Sequence, residues 1–177
     1  MKNVVYLKGE FEAEGLDQIE VSALIATSKE HGLQLAIKIG GCEARSDYMY
    51  CRRIMADSVI APMIESPFAA EKLVELQLIW SPKRLCINIE TDTGVKNIES
   101  ILDVIEGRGI GIVFGRSDYS ASIGLKGEVN HPLVFDAVHL VAKACFSRGI
   151  SLTVGGGMHY EGFLKLQSDS VIYQALD

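Results

Sequence analysis

Long apolar runs, basic runs and paired cysteines are all missing from this chain, and each absence removes a class of function. No stretch approaches the roughly 18 apolar residues that a spanning helix needs. The N-terminal MKNVVYLKGEFEAEG turns acidic early, which argues against a signal peptide or an anchor. Lysine and arginine number 17 against 23 aspartates and glutamates, a formal charge of −6, and they never cluster. Neither a nucleic-acid backbone nor a membrane surface is therefore an expected partner. The four cysteines, Cys42, Cys51, Cys86 and Cys145, show no Cys-x-x-Cys pairing and sit in apolar or helical surroundings. They read as reduced core thiols of a cytoplasmic protein, not as a disulfide framework. With only 4 prolines and with 17 glycines in no fixed period, disordered and collagen-like chains are also excluded.

What is present is 48% hydrophobic and 23% charged residues in 177 positions, the composition of one soluble α/β domain spanning residues 1–177. A chain of this length buries about two thirds of its unfolded surface, enough for a core without staples. Short runs rich in valine and isoleucine recur, each followed by a segment of helical period. The strands expected are Val4–Phe11, Leu35–Ile39, Ser58–Ala61, Arg84–Glu90, Gly111–Phe114, Ser151–Val154 and Ser170–Gln174. The helices expected between and after them are Leu16–His31, Glu43–Met55, Pro67–Leu78, Val95–Ile105, Pro132–Arg148 and His159–Leu166. The central strands are nearly continuous in apolar residues, as in a parallel sheet covered on both faces. No Gly-x-Gly-x-x-Gly follows the first strand, so a Rossmann-type sheet loses to a TIM-type (β/α) barrel of about seven units.

A barrel carries its chemistry at the C-terminal ends of its strands, and polar residues collect there. They are Glu10, Glu12 and Glu14 after the first strand, Lys38 in the second, Glu65 after the third, Glu90 and Thr91 at the fourth, and Arg116, Ser117 and Asp118 after the fifth. Glu90 and Asp118 end adjacent strands, so they are placed either to ligate one hard divalent cation, Mg²⁺ or Mn²⁺, or to stand as solvated loop carboxylates. Gly40–Gly41 and Gly155–Gly156–Gly157 read equally as anion-binding backbone and as tight turns needing positive φ. His31 and His139 fall in helical pattern, whereas His131 and His159 are loop residues with no serine or cysteine motif beside them. Trp80, in a connection, reads as packing. Lys38 is a lone lysine in the run Leu35–Ile39, and burying an unpaired ammonium is costly, so it is expected to face the same cavity or to pair with Glu10 or Glu12 at the rim.

The stretches Ile87–Asn88–Ile89–Glu90–Thr91, Val95–Lys96–Asn97–Ile98–Glu99–Ser100–Ile101 and Phe114–Gly115–Arg116–Ser117–Asp118–Tyr119–Ser120–Ala121–Ser122–Ile123–Gly124, with His131–Pro132 beyond them, resemble the HpcH/HpaI aldolase and citrate lyase family. Ile60–Ala61–Pro62–Met63–Ile64–Glu65–Ser66 resembles that family's Pro-Met-Val-Glu-Thr turn. The resemblance spans roughly Leu35 to Gly155. It implies a (β/α)8 barrel that holds a divalent metal through Glu90 and Asp118 and stabilises the enolate of pyruvate or a related 2-oxo acid or carboxylate. Backbone N–H groups around Gly115, Ser117 and Asp118 would hold the substrate carboxylate. Lys38 stands where the family carries an arginine that polarises the substrate oxygen.

Two departures bear on the chemistry. The family's aldolases carry Asp-x-Glu-His after the second barrel strand, whereas this chain reads Glu10–Phe11–Glu12–Ala13, without the histidine that assists proton transfer. Lysine also offers a point charge where arginine offers a fork. Two readings follow: a metal-dependent lyase or aldolase on a 2-oxo acid, or a barrel that keeps the metal and anion site as a binding or scaffolding subunit. Strand alternation puts Glu10 and Glu12 on one side, so that one of them can replace the histidine as general base. Seven units are one short of eight, and a homo-oligomer is the expected cover for the gap, with the Ser170–Asp177 segment pairing back toward the first strand as the alternative.

Overall fold

The computed structural model describes residues 6–176. Its strands are β1 (Tyr6–Glu10), β2 (Gln34–Lys38), β3 (Ser58–Ala61), β4 (Arg84–Ile89), β5 (Ile110–Gly115) and β6 (Leu152–Gly155). They form one curled, all-parallel half-barrel sheet in the order β1-β2-β3-β4-β5-β6. Helices α1 (Gln18–Glu30), α2 (Arg45–Arg53) and α3 (Pro67–Gln77) connect the first four strands. Then come α4 (Asp92–Lys96), α5 (Ile98–Ile105), α6 (Arg116–Ser122), α7 (Pro132–Ser147), α8 (Tyr160–Ser168) and α9 (Ser170–Ala175).

Strand alternation sorts the side chains into two layers. Leu35, Ile37, Ile39, Val59, Ala61, Leu85, Ile87, Ile89, Ile112 and Phe114 face the helices and join Leu73, Ile101, Leu102, Val138 and Val141 in the main core. The opposite, concave face holds only a small apolar cluster, Ala36, Ile60 and Cys86 with Val113 against it. Trp80 packs edge-on to Tyr48 and its carbonyl accepts the Tyr48 hydroxyl at 2.7 Å, a packing role. No disulfide joins the four cysteines, and burial pushes the Cys51 and Cys145 thiols up to about 12, which leaves those two unreactive core groups.

Helix starts follow local signals. Asp17 and Glu20 make a capping box at α1, Ser66 caps α3 ahead of Pro67, and His131 caps α7 by accepting from Leu133 N–H. The expected helix Val95–Ile105 is instead α4 and α5, broken at Asn97, whose amide donates to the Glu65 carbonyl at 2.8 Å. A further helix, α6, follows β5 without a connecting residue.

The expected strand Ser170–Gln174 is corrected to the helix α9. Asp169 caps it by accepting from Val171 and Ile172 N–H, and Ile172 and Ala175 at helical spacing turn inward. β-branched content misled the reading, because a strong cap outweighs strand propensity. Only Leu176 beyond it pairs with the sheet, in a parallel bridge to Leu152, so six strands stand among the described residues where seven were expected. The start of the first expected strand, Val4–Val5, and Asp177 lie outside the described residues. No helix among the described residues is long and apolar enough to cross a membrane.

Packing outweighs surface charge in this fold. Arg148 pairs with Glu99, Asp103 and Glu106 of the α5 segment, but those carboxylates are exposed. Arg148→Ala is expected to leave stability close to that of the parent protein, while Ile101→Ala in α5 costs about 2–5 kcal/mol through the cavity it leaves. Urea denaturation of both variants measures the contrast.

Candidate functional site

β4 runs Arg84–Leu85–Cys86–Ile87–Asn88–Ile89, and its even-numbered residues face the concave side. Glu90 continues that row one step past the strand, at the open end of the half-barrel, and is 2% exposed. Its Oε1 accepts from Met63 N–H at 3.0 Å and its Oε2 from Asn88 Nδ2 at 2.8 Å. Met63 holds φ 53°, a left-handed conformation that costs a non-glycine residue on the order of 1 kcal/mol and here aims its N–H at the carboxylate. Gly115, on the neighbouring strand, leaves the space Glu90 fills: a Cβ there would lie 2.8 Å from Glu90 Oε2. The close approach accounts for a glycine at this position.

Lys38 reaches the same carboxylate from β2, with Nζ 3.7 Å from Glu90 Oε2 and 3.5 Å from Glu10 Oε2. Of the two placements expected for Lys38, facing the cavity and pairing with Glu10, the chain adopts both at once. Glu10 also pairs with Lys8. Burial pulls the Glu10 carboxyl upward, but Lys8 and Lys38 together hold it below the usual carboxylate range. Burial pushes the Glu90 carboxyl above its ordinary range and the charge of Asp118 adds to the push, against Lys38 and the two hydrogen bonds. Asp118 itself stands exposed in the first turn of α6, beside exposed Ser117.

Glu12 lies two residues past the end of β1. The strand ends at Glu10, the chain turns through residues 11–14, and Glu14 folds back to accept from Glu10 N–H at 3.0 Å. Glu12 is exposed and lies against Gly40, where a Cβ would be 3.0 Å from its Oε1. Gly40 N–H is taken by Asp47 at 2.8 Å and neither Gly40 nor Gly41 holds positive φ, whereas Gly156 and Gly157 hold φ 83° and 50° as a tight turn does. Glu65 braces the end of β4 by accepting from the Thr91 hydroxyl at 2.7 Å.

Two residues escaped the sequence reading. Arg116 was one polar strand-end residue among several, yet it is fully buried: its guanidinium donates to the carbonyls of Gly155 and Gly156 and to Asn130 Oδ1, fastening the loop after β6 to the end of β5. Asn88 was read as part of an apolar run. Its Oδ1 is buried without a hydrogen-bond partner among the described residues, on the row that ends at Glu90. The signal for Asn88 was its spacing of two from Glu90 on a strand; nothing local marked Arg116 as interior.

A buried acceptor without a donor costs about 1–3 kcal/mol unless water or a ligand supplies one. Two carboxylates and this amide oxygen are hard donors, and they fit a small divalent cation that takes one or two carboxylates and fills its shell with water or substrate. No group of three or more His, Cys, Asp or Glu able to hold a metal occurs among the described residues, so any cation here relies on those few ligands. Two clefts lie elsewhere. One of about 370 Å³ between α7, α8 and α9 contains the His139–Asp169 pair, and one of about 340 Å³ borders Phe11 and Tyr50.

The family model for HpcH/HpaI aldolase/citrate lyase matches residues 41–166, which include Glu90, Gly115, Ser117 and Asp118 and exclude Glu10, Glu12 and Lys38. Among solved structures, the HpcH/HpaI aldolase from Desulfitobacterium hafniense DCB-2 is similar at TM-score 0.78 and 18% identity, over 97% of this chain and 75% of that one. An HpcH/HpaI aldolase/citrate lyase family protein from Burkholderia cenocepacia J2315 is similar at TM-score 0.77 and 17% identity, over 97% and 77%. Citrate synthase SbnG follows at TM-score 0.74 and 17% identity, over 94% and 73%. At these identities the likeness is one of fold. No curated protein matches the chain.

A carboxyl group whose folded pKa is raised binds more protons in the native than in the unfolded state, so stability falls as pH rises from the ordinary carboxylate value through the raised one. Glu90→Gln is therefore expected to be more stable than the parent protein at neutral pH. The gain should vanish below the ordinary carboxylate range, where Glu90 is protonated in both states. Thermal unfolding across pH checks the sign.

Proposed function

The chain belongs to the HpcH/HpaI aldolase/citrate lyase family, and from that membership we propose that it is a divalent-metal-dependent carbon–carbon lyase or aldolase acting on a 2-oxo acid or related carboxylate. The observation that carries the proposal is the buried Glu90 carboxylate, set where Asp118 and Lys38 both act on it. Glu90 and Asp118 would hold the cation, Mg²⁺ or Mn²⁺, which when bound supplies Lewis-acid polarisation of the substrate oxygen.

The remaining roles fall to this chain's own groups. Asn88 and Met63 N–H fix the Glu90 carboxylate so that its geometry does not change as charge develops. Lys38 brings a positive charge to the substrate oxygen, and Glu10, itself tied to Lys8, orients Lys38. The Glu10 carboxylate is already paired with both Lys8 and Lys38. We therefore assign proton transfer at the substrate methyl to Glu12, the exposed carboxylate beside the β2 end. Backbone N–H groups around Gly115, Ser117 and Asp118 receive the substrate carboxylate, and Arg116 keeps the adjoining loop in place.

A second reading draws on one feature, the absence of a histidine from Glu10–Phe11–Glu12–Ala13: a metal- and anion-binding subunit without turnover. Exchange of the pyruvate methyl protons in deuterium oxide, followed by proton NMR, separates the two. The enzyme reading expects exchange that requires the cation. It should fall at least about 100-fold in Asp118→Ala and about 100-fold or more in Glu12→Gln. Binding without exchange supports the subunit reading, and an unchanged rate in Glu12→Gln removes Glu12 as the base. The edges β1 and β6 support a homo-oligomer that covers them. Light scattering coupled to size exclusion is expected to give a multiple of 19.3 kDa, and a stable monomer would refute it.

A further inference from the structure

Lys8, Glu10, Lys38 and Glu90 form an alternating row of charges along the concave face, each within ion-pair distance of the next. Glu10 already serves Lys8, so Glu90 is the second counter-ion that Lys38 needs in a setting where its side chain is 13% exposed. Glu90 in turn has both oxygens engaged, Oε1 by Met63 N–H and Oε2 by Asn88, with the ammonium at 3.7 Å. A divalent cation that uses Glu90 meets that ammonium at close range, and an anion that draws on Lys38 pulls the ammonium away from Glu90.

We infer that Lys38 is the resident counter-cation of Glu90, so that a divalent cation and an anionic ligand bind this site as a coupled pair, each opening the place of the other. The inference rests on the metal-dependent reading above. A cation arriving alone leaves Lys38 sharing Glu10 with Lys8, a surplus of positive charge that a carboxylate-bearing ligand offsets. An anion arriving alone takes Lys38 from Glu90 and leaves that buried carboxylate short of a cation. Linkage makes the coupling reciprocal: the factor by which the anion tightens the cation equals the factor by which the cation tightens the anion. The side chain suits this role because a lysine is a single charge on a flexible stem, free to exchange partners without breaking a planar fork.

Calorimetric titration of Mn²⁺ with and without pyruvate tests this in the full chain and in Lys38→Met, with Lys38→Gln as a second variant and the unfolding midpoint as a check of folding. In the parent protein pyruvate is expected to tighten Mn²⁺ at least about fivefold. In Lys38→Met, Mn²⁺ alone is expected to bind at least about tenfold more tightly, since a like charge close to the site is gone. The pyruvate effect should shrink at least about fivefold; coupling that does not pass through Lys38 survives, so the drop is what is read. Mn²⁺ binding in both variants no tighter than in the parent, or a pyruvate effect of undiminished size, overturns the inference and leaves the metal reading standing. Absence of Mn²⁺ binding by parent and variants alike, with pyruvate present, brings down the metal reading and the inference together.

Discussion

Burying a carboxylate at the end of a central strand costs several kcal/mol unless donors replace the water it loses, and Glu90 is 2% exposed. The surrounding chain is arranged to supply those donors. The loop after β3 contributes the Met63 N–H through a left-handed turn, β4 contributes Asn88 from two residues back, and β2 contributes Lys38. β5 contributes room, since Gly115 has no Cβ to meet the Oε2 atom. Four separate segments therefore converge on one side chain, and they converge only because parallel strands in sequential order bring their C-terminal ends together.

That convergence is affordable because the two faces of the sheet do different jobs. The face toward the helices carries the main apolar core, with residues such as Ile87, Ile101, Phe114 and Val138 fully buried. The concave face holds a small apolar floor of Ala36, Ile60 and Cys86, and above it the polar row. A strand that places Leu85, Ile87 and Ile89 on one side and Cys86, Asn88 and Glu90 on the other belongs to both layers at once. Stability is gathered on the outer face, so the inner one can hold charges that oppose folding.

The same alternation explains what the sequence disclosed and where it fell short. Strands β3 and β4 were legible nearly to the residue because they are short, apolar and bounded by turn signals, and α7 because Pro132 and Gly149 bracket a clean helical period. Glu90 was legible as a strand-end residue, while Asp118, read the same way, stands in the first turn of α6. The seventh strand was misread because Val171–Ile172–Tyr173 has strand-like residues while Asp169, just before them, caps a helix. Asn88 was marked only by its spacing of two from Glu90, and Arg116 depends on partners 14 to 42 residues away that no local pattern records.

Lys38 shows how one residue type can alter the balance of such a site. An arginine at that position would engage two oxygens at once through a rigid fork and would stay charged and fixed. A lysine divides its charge between Glu10 at 3.5 Å and Glu90 at 3.7 Å, distances at which the attraction is Coulombic and not a directed hydrogen bond. Neither contact commits the ammonium to one orientation, and the hydrogen bonds that define Glu90 come from Asn88 and Met63 instead. The carboxylate is thus held by neutral donors that stay put, and its charge is balanced by a cation that can leave. Rigid geometry with movable charge lets an ionic ligand replace an internal ion pair without the backbone having to shift.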